Sequence, residues 1–142
     1  MALTPGNLNT MATIGGTVEV QTAASQPWRT YAVDWQAGRV RGFTDGTEAL
    51  KQAIYKILQT ERFAHIIYSW NYGFESSRLL GQNAAFLKSE LQRLATEALL
   101  ADDRIMAVED FHIIITGKRR AAVEFTVLSV LGETQIETEV SI

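Results

Sequence analysis

The chain has 142 residues, a net charge of -3, 46% hydrophobic and 20% charged residues, and no cysteine. That length fits one domain burying roughly two-thirds of its unfolded surface. The absence of cysteine excludes disulfide and thiolate chemistry, and the interspersed charges offer no general attraction to nucleic acid or anionic membrane. No basic-then-apolar leader opens the sequence, and no apolar run approaches the ~18 residues of a membrane span, so the expectation is a domain folded in a cytoplasm.

Residues 1–26 are rich in Thr, Gly, Asn and Ala and are expected to form an arm, either flexible or ordered by a partner. Within it, Thr17-Val18-Glu19-Val20-Gln21-Thr22 alternates enough for a strand if it finds a partner. A single domain is expected over residues 27–142. Tyr31, Val33 and Trp35 alternate with Ala32 and Asp34, which predicts a half-buried strand. Gly38 then supplies the positive φ of a short hairpin leading into Arg39-Val40-Arg41-Gly42-Phe43.

Asp45 and Glu48 have the spacing of a capping box. Ala49, Leu50, Ala53, Ile54, Ile57 and Leu58 then share one helical face. Asn83 is placed to cap a second helix, in which Phe86, Leu87, Leu91, Leu94, Ala98 and Leu99 recur every three or four residues. Between the helices, Ala64 to Tyr68 suits a short strand, and the alternating Trp70, Tyr72 and Phe74 suit a joint packed against both helices.

After Asp102-Asp103-Arg104 the period changes to two. Three segments, broken by turns near Gly117 and Gly132, predict an antiparallel meander. The fold class is therefore α+β: an N-terminal β-hairpin, two amphipathic helices and a C-terminal three-stranded antiparallel meander forming one sheet covered by the helices.

The candidate chemistry is sparse. Glu61 and Glu75 flank the aromatic stretch and would be the carboxylate pair of a glycosidase, but Glu61 beside Arg62 reads better as an ion-paired helix end. His65 and His112 each lie in an apolar run without the converging ligands a metal needs. No nucleophile elbow or phosphate loop is present, and no cofactor is expected. Arg39 and Arg41, and Lys118, Arg119 and Arg120, are turn charges that suit solvent or an acidic partner before nucleic acid.

The runs Lys51-Gln52-Ala53-Ile54, Thr60-Glu61-Arg62 and Ser69-Trp70-Asn71-Tyr72-Gly73, within a match from about Tyr31 to Val140, resemble the XkdS-type tail proteins of contractile-tailed prophages and phage-tail-like bacteriocins. That family is similar to the small, tail-lysozyme-like baseplate wedge protein that initiates the contractile sheath. The wider family carries a Glu-Pro-Arg triplet after its second helix; here the place reads Asp102-Asp103-Arg104, with the acid and arginine kept in kind and the proline replaced.

The resemblance implies a non-enzymatic baseplate component, assembled in a bacterial host cytoplasm. It would be present in several copies near the tail tube and would contact the tail sheath protein and wedge proteins, with no nucleic acid or membrane partner. Asp102, Arg104, Trp70 and Tyr72 are the expected contacts to wedge proteins. Glu133, Glu137 and Glu139 line the last strand, whose outer edge is expected to accept a strand from the sheath. A peptidoglycan-degrading tail lysozyme using Glu61 or Glu75 is the alternative.

Overall fold

The computed structural model describes residues 28–142 together with two short strands before them, β1 (Thr10–Thr13) and β2 (Gly16–Glu19), of which only the backbone is described. These two pair antiparallel with each other, Thr13 opposite Gly16. The expected arm otherwise lies outside the described residues, as do Val20 to Thr22 of the expected strand.

A hairpin follows, β3 (Thr30–Asp34) and β4 (Arg39–Thr44), and forms its own two-stranded sheet. Gly38 holds the turn at φ 62°, a conformation that favours glycine. The Asp34 carboxylate accepts from the Gln36 and Ala37 amides and pairs with Arg41 at 3.1 Å. The expected half-burial of this strand is met only in part: Val33 is half-buried, but Tyr31 and Trp35 are 62% and 55% exposed. The hairpin leans on the rest of the chain by an edge rather than a face. Gln52 of the first helix donates to the Tyr31 carbonyl and accepts from the Val33 amide, which closes the β3 edge as a neighbouring strand would.

Helix α1 (Gly46–Gln59) buries Ala49, Leu50, Ile54, Ile57 and Leu58, and α2 (Ala84–Leu100) buries Leu87, Leu91, Leu94, Ala95, Ala98 and Leu99. Both stripes follow the 3.6-residue period. Asn83 caps α2 by accepting from the Phe86 amide at 2.9 Å. Asp45 is the N-cap of α1, but the reciprocal capping box is not made: Asp45 accepts from Gly46, and Glu48 turns to Lys51 at 3.2 Å.

The last three strands, β5 (Ile105–Gly117), β6 (Arg120–Ser129) and β7 (Gly132–Ser141), form an antiparallel meander in the order β5-β6-β7. On one face Val123, Phe125, Val127, Ile136 and Val140 pack into a single core with the helices. A register shift in β5 at Asp110, with φ 53°, directs Phe111 and Ile113 against that core. Phe111 stacks on Phe125 with ring centroids 4.9 Å apart.

Candidate interaction surfaces

The segment between the helices is an irregular, cross-braced joint. The expected strand at Ala64 to Tyr68 does not form; these residues are turns and bends, and among the described residues no strand pairs with them. The chain instead doubles back so that Glu61 and Phe74 form an isolated parallel bridge, with the Phe74 amide donating to the Thr60 carbonyl at 2.8 Å. Gly73 makes this approach possible. It sits at φ 104°, and a Cβ there would lie 2.8 Å from the Thr60 carbonyl oxygen and 3.0 Å from the Arg62 nitrogen. Phe74 enters the core, Tyr72 is half-buried and stacks on Tyr68 at 4.6 Å, and Trp70 is left 75% exposed.

Glu61 does not pair with Arg62. Its carboxylate accepts from the amides and hydroxyls of both Ser76 and Ser77, pinning the start of a short 3₁₀ helix (Ser76–Leu79). Arg62 reaches across to Glu97 of α2 at 3.0 Å and donates from Nε to the Trp70 carbonyl. Burial pushes the Glu61 carboxyl up, but the four serine donors outweigh it and hold the group below the ordinary carboxylate range. A general acid needs the opposite shift. Glu75 is engaged by Arg78 at 3.3 Å.

His65 is exposed and meets Tyr68 edge-on, while His112 stands opposite Glu124 on β5. Among the described residues no group of three or more His, Cys, Asp or Glu is placed to hold a metal ion.

At the corner after α2, Asp102 and Arg104 form a two-pronged ion pair, with Nε to Oδ1 at 2.9 Å and the second prong at 2.6 Å. The Arg104 amide adds a third bond to Oδ1 at 3.0 Å. Both side chains are about nine-tenths buried, at 11% and 9% exposure, and the guanidinium lies 5.5 Å from the Trp28 ring centre. Burial raises the Asp102 carboxyl, yet the Arg104 bonds outweigh it and the net shift is downward.

The meander has one covered and one uncovered face. Glu133, Glu137 and Glu139 are exposed on the uncovered face. Strand pairing sets Glu124 directly opposite Glu137, an acidic neighbour that sequence spacing alone does not reveal. At the outer edge of β7, alternation from the two-residue turn at Val130 and Leu131 points the backbone groups of Glu133, Gln135, Glu137 and Glu139 away from β6. One of these is taken: Gln59 Nε2 of α1 donates to the Glu139 carbonyl at 2.7 Å. Further along, a groove of about 540 Å³ separates this edge from β3, with Val33 and Trp35 on one wall, Gln135 and Glu137 on the other, and Gln52 and Tyr55 of α1 beneath.

Residues 29–132 match the contractile injection system sheath initiator family. The chain belongs to that family. It is also 40% identical over 124 residues to the phage-like element PBSX protein XkdS of Bacillus subtilis (strain 168), covering 84% of this chain and 87% of that one. Membership in the sheath initiator family supports a structural role in a contractile tail.

Proposed function

We propose that this chain is a baseplate component that starts the contractile sheath, by offering the outer edge of β7 to a strand from a sheath subunit while the joint and the Asp102–Arg104 corner face wedge proteins. The observation that carries the first half is the β7 edge itself. Its outward backbone groups at Gln135 and Glu137 border the groove of about 540 Å³, and among the described residues Gln59 occupies one outward group of the edge.

Roughly four added backbone bonds at about 0.5–1.5 kcal/mol each give a few kcal/mol before ordering costs. A ring of copies converts that modest contact into firm attachment. The acidic face formed by Glu124, Glu133, Glu137 and Glu139 favours an incoming strand bearing Lys or Arg and discourages two copies from pairing edge to edge. The family match ends at Gly132, where β7 begins, so the strand-addition step rests on geometry.

The same geometry argues against the lysozyme alternative, because Glu61 is a hydrogen-bonded carboxylate with a lowered pKa and Glu75 is paired with Arg78.

Removing β7 outright is a poor test, because Ile136 and Val140 belong to the core. Glu137→Pro is better. It deletes one outward donor without touching the bonds to β6, and proline is tolerated at such edge positions. Particles carrying it should show assembled tubes with little or no sheath by negative-stain microscopy. Normal sheathed tails from a folded Glu137→Pro chain would contradict strand addition at this edge.

A further inference from the structure

Where the β3–β4 hairpin leans on α1, a cleft of about 380 Å³ opens between the hairpin, α1, the joint and the Asp102–Arg104 corner. Arg29, Lys56 and Arg104 line it, against a single carboxylate, Asp102. Arg104 is already engaged by its two-pronged bond to Asp102. Among the described residues the other two cations have no ion-pair partner. The Arg29 guanidinium rests over the Phe43 ring at 4.4 Å, and among the described residues no carboxylate lies within salt-bridge distance of Arg29 or Lys56.

Two cations without a carboxylate partner among the described residues thus share one recess of a chain whose net charge is -3. Asn71 and Ser69, whose side chains bond to each other at 2.7 Å, also line it and add neutral hydrogen-bonding groups.

We infer that this cleft is a receptor for a carboxylate side chain, an Asp or Glu presented by a neighbouring protein of the assembled baseplate. The inference rests on the proposed baseplate role and adds to it the chemistry of the partner. A planar guanidinium with an ammonium nearby suits a carboxylate, which accepts two parallel bonds from the arginine while the lysine acts as a point charge. An extended polyanion fits less well. The cleft belongs to a net acidic molecule whose sheet face carries Glu124, Glu133 and Glu137, and such a surface repels a long phosphate backbone.

The test uses purified particles containing the full chain. Zero-length carbodiimide coupling followed by peptide mass spectrometry should join the Lys56 Nζ to an Asp or Glu of a different polypeptide. Acetylation of Lys56, normalised to the unfolded chain, should fall roughly tenfold between the free chain and the particle. Lys56→Arg should enter particles at the normal level. Lys56→Gln and Arg29→Gln should each lower incorporation roughly tenfold, the loss expected when one partner of a desolvated pair is removed, with unchanged melting of the free chain.

Equal acetylation of Lys56 in the free chain and the particle overturns the inference while leaving the baseplate role intact, as does normal incorporation of the double variant Arg29→Gln, Lys56→Gln. If millimolar inorganic phosphate shields Lys56 in the free chain and no cross-link forms in particles, the site takes a free anion and the inference is wrong. Absence of the chain from particles removes the baseplate role and this inference with it.

Discussion

At the scale of single residues, two positions carry most of the local argument. Gly73 has a left-handed φ and no room for a methyl group beside the Thr60 carbonyl, so Gly73→Ala forces the Glu61–Phe74 bridge apart. A loss of about 2 kcal/mol or more is expected, measured by urea denaturation, because backbone strain and a steric clash act together. A variant as stable as the parent would show that the bridge gives way without cost.

Asp102 makes a different kind of prediction. Its folded-state carboxyl lies below the ordinary value, as does that of Glu61, so their contributions are complete above the unfolded carboxylate range, near pH 4 to 5, and are lost as the pH falls through the folded values. Asp102→Asn should cost about 2–3 kcal/mol near neutrality, because it strips the partner from a nearly buried arginine. It should also flatten the decline in melting temperature between pH 6 and pH 3 relative to the parent. An unaltered acid profile would mean that Asp102 titrates as it does in the unfolded chain.

At the scale of elements, the two helices were legible in the sequence because a 3.6-residue stripe is a local signal, and five of the six residues assigned to the α1 face are buried. The meander was legible for the same reason at period two. The joint was not. Its shape depends on contacts that sequence spacing does not encode: Glu61 reaching Ser76 and Ser77, Arg62 reaching Glu97 across to α2, and a glycine that permits two backbones to touch. Neighbouring charges at Glu61 and Arg62 suggested a pair, yet each found a better-placed partner elsewhere.

The joint also separates its aromatics by role, with Phe74 in the core and Trp70 outside. Trp70→Ala should therefore leave melting of the free chain nearly unchanged, within about 0.5 kcal/mol as is usual at exposed sites. It should weaken incorporation into baseplates if Trp70 is an interface anchor. Normal incorporation, measured by quantitative mass spectrometry of purified particles, would take Trp70 out of the wedge contact.

At the scale of the whole molecule, the fold sorts its surfaces by direction. The helices cover one face of the meander, the acidic residues occupy the other, and β7 leaves an edge between them. The cationic cleft lies where the hairpin meets α1 and the Asp102–Arg104 corner, with Gln52 lining both it and the groove beside β7. The proposed role, joining a sheath to a baseplate, calls for more than one contact surface, and the β7 edge and the cleft are two candidates.

The central claim is that β7 gains a strand from the sheath, and electron cryo-microscopy of assembled particles tests it most directly. The account predicts an additional strand about 4.8 Å from β7, traced to a sheath subunit and running past Gln135 and Glu137. A β7 edge left open, or covered by a helix or by a wedge protein, would contradict it.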